Sequence, residues 1–177
     1  LGSKSVLEGC GEFEKEVPEY FKKMVAKWKS LKPGEKFNFG KEHDNASLTA
    51  TKTVHEDKSG IGFVFHAEEE KVGYTGDTED FNGLWGQYEN CTVLVVNCLR
   101  PFRDKFPFHL SADEVADGVN SLIKRPAKIV LTHLGLKFIK AGQKQQQNRL
   151  EKATGTPTII ARERVVVKVK REKQQAL

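Results

Sequence analysis

Lys71–Asp80, KVGYTGDTED, is the stretch on which the reading of this chain turns. A short apolar run through Val72 and Tyr74 climbs to Gly76-Asp77-Thr78 and stops there. This is the pattern of a β-strand with a carboxylate at its tip, and Gly76 frees the backbone beside it. Strand tips are where α/β proteins mount chemistry, because the sheet is rigid and the loop beyond it is open. Taken alone, Asp77 in this place also reads as the cap of a following helix.

Upstream, Ile61–His66 reads as a strand joined to Val72–Thr75 through the acidic turn Glu68-Glu69-Glu70, so the two form a hairpin. Ser47–Val54, SLTATKTV, is β-branched at nearly every other place and ends at His55. Lys36–Phe39 is a shorter strand after the turn Lys32–Glu35. Leu1–Leu7 alternates weakly, as a short strand would. Glu14–Ser30 carries Phe21, Met24, Val25 and Trp28 at helical spacing, with Pro18 near its front. That face is expected to enter the core.

Downstream, Glu79–Tyr88 has helical spacing in Phe81, Leu84, Trp85 and Tyr88, interrupted by Gly83 and Gly86. Thr92–Asn97, TVLVVN, is continuously apolar, which suits a strand buried on both faces. Leu99–Leu110 is a loop with two prolines. Ser111 and Glu114 then form a capping box for a helix to about Ile123, with Val115, Val119, Leu122 and Ile123 turned inward. Ala127–Thr132 is a second buried strand, ending at His133. A polar helix follows over Gly142–Thr154, stopped by Gly155, and Thr158–Ala161 and Val165–Val169 read as strands. Strands first, then strands alternating with helices, define an α/β protein with sheets covered by helices.

At 177 residues the chain has the size of a single domain, 1–177. With 38% hydrophobic and 30% charged residues it can bury a core. The net charge of +5 allows an anionic partner without demanding one. Three cysteines, Cys10, Cys91 and Cys98, with no CxxC, point to a reducing compartment, hence the cytoplasm. No apolar run approaches the roughly 20 residues of a membrane span.

Three predicted strands thus end in groups that ligate metals: His55, Asp77 and His133. Imidazole nitrogen and carboxylate oxygen suit zinc, and also manganese or iron. A carboxylate can bridge two ions, and water held there becomes a nucleophile near neutral pH. His109, just before the Ser111 cap, stands where it could protonate a leaving group. Taken singly, each of these histidines also reads as an ordinary hydrogen-bonded residue, which leaves open a metal-free domain. His43 and His66 carry no such context, and Asp57 stands where it could orient the His55 ring.

The ordered set Thr53-Val54-His55, Gly76-Asp77-Thr78, His109-Leu110-Ser111 and Leu131-Thr132-His133-Leu134-Gly135 resembles the metallo-β-lactamase superfamily. The resemblance covers most of Ser47–Gly155. Within the superfamily it is similar to the branch of archaeal uncharacterised metal-dependent hydrolases and, more distantly, the tRNA 3′-processing endonucleases. It implies an αββα sandwich with a dinuclear site on its edge. His55 would bind one metal, Asp77 would bridge both, His133 would bind the second, and His109 would assist phosphodiester cleavage.

The family's HxHxDH motif has no match in Leu1–Asp44, so Leu1 reads as a point already past it, in an N-terminally truncated sandwich. Such a chain is expected to be completed by a second copy or a partner chain. The expected function is hydrolysis of a phosphoester or nucleic acid such as RNA by a metal-bound hydroxide. The alternative is a catalytically incomplete module of the same fold that binds or assembles.

Overall fold

In the computed structural model, residues 1–9, 12, 17–24 and 28–169 are described. Among them the strands are β1 (Lys36–Asn38), β2 (Ser47–Lys52), β3 (Ile61–Ala67), β4 (Glu70–Tyr74), β5 (Val93–Arg100), β6 (Leu110–Ser111), β7 (Lys128–Thr132) and β8 (Thr158–Ile160). The helices are α1 (Lys4–Glu8), α2 (Glu19–Lys22), α3 (Ala112–Ser121), α4 (Leu136–Lys140) and α5 (Gln143–Thr154). The strands form one eight-stranded sheet in the order β1-β2-β3-β4-β5-β7-β8, with β6 against the end of β5. From β1 to β4 the pairing is antiparallel; β4–β5, β5–β7 and β7–β8 are parallel.

Period-two alternation sends Leu94, Val96 and Cys98 of β5, with Ile129 and Leu131 of β7, to one face. There they pack with Val115 and Val119 of α3, Phe138 of α4, Leu150 of α5 and the turn residues Leu84, Trp85 and Tyr88. The strand expected over Thr92–Asn97 is present and runs on to Arg100, but Val95 on its other face is only half-buried. The opposite face carries Phe37, Leu48, Phe63, Phe65, Tyr74 and Val95, all half-buried. The α/β class is the one expected; of the sandwich layers, the described residues form one sheet and its helical cover.

Several elements differ from the sequence reading. Lys4–Glu8 is a helix rather than part of a strand, because Ser3 caps it and accepts from Val6 N at 3.4 Å. Of the helix expected over Glu14–Ser30, the described part is α2, while Glu14 and Val25 lie outside the described residues. Phe21 and Met24 are 53% and 68% exposed, so these two side chains of the expected face are not in the core.

Glu79–Tyr88 is not an α-helix. Gly83 takes φ 93°, which breaks the run, and a 3-10 turn forms over Trp85–Tyr88. Leu84, Trp85 and Tyr88 are nonetheless buried as their spacing predicts. The Ser111–Glu114 capping box is present and α3 ends at Ser121, leaving Ile123 97% exposed instead of inward. Helix α4 was not legible in the sequence, since LKFIK is a short segment without a flanking cap residue. Gly155 ends α5 at φ 66°. Val165–Val169 is not a strand, and Val166 is 87% exposed.

Candidate metal centre

Register explains why distant residues meet at one edge of the sheet. Tyr74 lies beside Val95, and Asn97 beside Thr132, in parallel pairs. The chain leaves β4 through Thr75 and Gly76 to Asp77, and leaves β7 directly into His133. Asp77 and His133 therefore emerge from the carboxyl ends of β4 and β7, the parallel strands on either side of β5, the usual side for ligands in such sheets. Gly76 is required twice over: its φ is 63°, and a Cβ there would sit 2.9 Å from the Ile61 carbonyl oxygen.

Cross-ties bring in the other two histidines. Val54 N donates to Thr78 Oγ1 at 2.9 Å and Glu79 N to Val54 O at 3.0 Å, which holds His55 against the Asp77 loop. Phe108 N donates to Glu79 Oε2 at 3.1 Å, which does the same for His109. Phe108 and His133 both take positive φ, 63° and 54°. Non-glycine residues hold that conformation only where their surroundings over-determine it.

The result is one cluster. Ligand atoms of His55, Asp77 and His109 all lie within 4.8 Å of one another. His133 Nε2 stands 3.4 Å from Asp77 Oδ1, and the His109 and His133 rings stack 5.6 Å apart at 8°. The His55 and His109 rings meet edge to face at 5.2 Å. All four residues picked from the sequence are thus in one place, while His43 stands with Phe39 and His66 on β3, away from it.

Hydrogen bonds settle part of the proton placement. His109 Nδ1 faces the Pro107 carbonyl oxygen at 3.1 Å. A carbonyl only accepts, so Nδ1 carries a hydrogen and Nε2 is the ring nitrogen left for other contacts. His55 Nδ1 instead accepts from Asp57 N at 3.3 Å. The Asp57 carboxylate does not orient the ring, because Ser5 Oγ, Ser59 N and Ser59 Oγ occupy it. Burial pushes the Asp57 carboxyl up, but those donors and the His55 charge outweigh it and hold the group below the usual carboxylate range.

Two residues at the centre escaped the sequence reading. Asn97 Nδ2 donates to Asp77 Oδ1 at 2.7 Å and to Tyr74 OH at 3.1 Å. Its signal was a single amide closing the apolar run TVLVVN. The sequence places Glu79 at the start of a helix, and its role as a tie between loops depends on folding. A cleft of about 420 Å³ opens beside the cluster, with His55, Asp77 and Asn97 on one wall and Leu48, Phe63 and Tyr74 on another.

The donor set fits a divalent cation. Two donors on one tetrahedral zinc at about 2.1 Å stand roughly 3.4 Å apart, which matches the His133–Asp77 separation of 3.4 Å. Asp77 is fixed by an amide donor, the outer contact such ligands ordinarily have.

Residues 5–134 match the beta-lactamase superfamily domain. An uncharacterized protein of Methanocaldococcus jannaschii is 31% identical over 162 residues, covering 92% of this chain and 59% of its own length. The metallo-beta-lactamase fold protein YhfI from Bacillus subtilis superposes with a TM-score of 0.64 at 17% identity, over 81% of this chain and 58% of that one. Igni18, a metallo hydrolase from the archaeon Ignicoccus hospitalis, gives 0.61 at 15% identity, over 80% and 60%. The chain belongs to the beta-lactamase superfamily, in its metallo-β-lactamase fold, and spans about three-fifths of the length of that archaeal relative. Among the described residues no helix is long and apolar enough to cross a membrane.

Proposed function

We propose that this chain carries the catalytic edge of a metal-dependent hydrolase acting on a phosphoester, either small or within RNA. The observation that carries the reading is the convergence of His55, Asp77, His109 and His133 from separate strand ends at cation-holding distances. Divalent ions, zinc first by donor type and manganese or iron after it, would supply Lewis acidity and an acidified water. His55, Asp77 and His133 would hold the metal.

The chain's own groups then have distinct tasks. Asn97 orients Asp77 through its amide donor. His109, fixed by Pro107, has Nε2 directed to the reacting region, where as the imidazolium it gives a proton to the leaving oxygen. The carriage of these four groups on rigid strand ends limits their motion during turnover. The net charge of +5 is compatible with an anionic substrate. The free, buried Cys91 and Cys98 suit a reducing cytoplasm.

A second reading has one observation in its favour. The apolar row Phe37, Leu48, Phe63, Phe65, Tyr74 and Val95 is only half-buried. A face of that composition calls for a covering layer, from a second copy or another polypeptide, and a module of this fold could serve assembly alone. Metal content of the purified protein and hydrolysis of bis(p-nitrophenyl) phosphate separate the two. The hydrolase reading expects bound divalent metal and an activity removed by EDTA and by Asp77→Ala. Activity that survives Asp77→Ala refutes it.

A further inference from the structure

At the rim of the metal cluster two cations share a single carboxylate. Arg100, at the end of β5, lays its guanidinium 4.2 Å over the Phe106 ring, and that ring stands 5.9 Å from His109. Arg100 Nη1 reaches Asp104 only at 3.6 Å, while Lys137 Nζ reaches the same Asp104 Oδ2 at 3.2 Å. The Arg100 side chain is 15% exposed, and its buried Nε has no acceptor. Lys137 is 63% exposed and sits on α4, four residues after His133. Beyond it come Lys140 and Lys144, and Glu151 is the single acid between His133 and Lys152.

The charge balance of this corner is unequal. One carboxylate faces two permanent cations, so within this triad the positive charges outnumber the negative by one. A guanidinium that has lost most of its water yet holds one loose partner retains forked donors suited to a phosphate. Stacking on Phe106 fixes the plane of that fork, so little side-chain entropy remains to be lost on binding. An arrangement serving only to brace the Pro101–His109 loop would need the arginine on Phe106 but not the exposed lysine.

We propose that Arg100 and Lys137 form an anion subsite for a phosphate group of the substrate other than the one attacked, such as the distal phosphate of a diphosphate or a flanking phosphate of a strand. The subsite rests on the hydrolase reading for its place in a reaction, but not for its chemistry. Binding a second phosphate there would draw Asp104 aside and set the scissile phosphate over Asp77 and His109.

Calorimetric titration of the metal-free chain with inorganic pyrophosphate, in EDTA at pH 8, reads the subsite without turnover. The wild-type chain should bind one pyrophosphate. Arg100→Gln and Lys137→Gln should each weaken it tenfold or more, and Lys36→Gln, on the far edge strand β1, should leave it unchanged. Because Lys137 is exposed, its variant decides the matter if Arg100→Gln fails to fold. Absence of wild-type binding overturns the proposal. So does binding unaffected by folded Arg100→Gln or by Lys137→Gln, or weakened equally by Lys36→Gln. Bis(p-nitrophenyl) phosphate lacks a second phosphate, so failure of its hydrolysis would strike the hydrolase reading and leave the subsite standing.

Discussion

Asn97 Nδ2 donates to Asp77 Oδ1 across 2.7 Å, from a side chain that is 6% exposed. This bond joins β5 to the loop after β4 at the point where the two parallel strands open. It leaves the carboxylate with one oxygen oriented by a buried amide. Outer contacts of this kind tune metal ligands as much as the ligands' own identity does.

Asn97→Ala should therefore weaken divalent-metal binding by about 10–100-fold, the range seen when outer partners of metal ligands are removed. Asn97→Asp should weaken it further, since it places a second acid against Asp77 with no amide donor between them. Competitive titration with a chromophoric chelator measures both, and unchanged affinity in both variants would dismiss the bond as incidental.

Gly118 lies on α3 where a Cβ would sit 1.8 Å from Cε2 of Trp85. Trp85 is 7% exposed and its Nε1 donates to Asp80 Oδ1 at 2.9 Å, so the indole has little room to retreat. Alanine favours a helix over glycine by roughly 1 kcal/mol. Overpacking costs about 1–3 kcal/mol or more and should prevail. Gly118→Ala is expected to lower Tm by several degrees in a thermal melt, and a raised Tm would show that the indole shifts freely.

Cys91 and Cys98 are 1% and 0% exposed. Burial pushes the Cys91 thiol up to about 11 and raises Cys98 as well. Neither should react with Ellman's reagent at pH 8 in the folded chain, and both should react promptly in guanidinium chloride. Peptide mapping after alkylation assigns each thiol. Fast native labelling of Cys98 would mean that the α3–β5 layer opens far more readily than its packing implies.

His66 is held below the ordinary imidazole value by burial first, and then by the charges of Lys71 and Lys36. A depressed folded-state pKa means that the unfolded chain binds the proton more tightly. Stability is therefore full above about 6.5, the unfolded value, and declines as the pH falls from there through the folded value. His66→Gln should flatten that acid-side slope while changing little at pH 8. Urea melts at pH 5 and pH 8 measure it, and an unaltered slope would place the acid sensitivity in other groups.

Much of this protein was readable residue by residue. The hairpin around Glu68–Glu70, the doubly apolar β5, the Ser111–Glu114 box and the Gly155 stop all depend on contacts a few residues apart, and they formed where the pattern put them. His55, Asp77, His109 and His133 stood out for the same reason, each lying at the end of such a segment or at its cap. Local signals misled where tertiary demands prevailed, as in the Gly83 break that turned an expected helix into a 3-10 turn yet kept its apolar side buried.

What only folding decided is the meeting of those ends. It rests on parallel register between β4, β5 and β7, and on ties such as Phe108 to Glu79, whose partners are far apart in the chain. Backbone pairing over such distances has no short-range signature, because any apolar strand can pair with any other until packing fixes the alignment. The amino-acid sequence thus chose the chemical groups and the ends that carry them. The sheet chose their neighbours, and with them the amide on Asp77 and the shared carboxylate between Arg100 and Lys137.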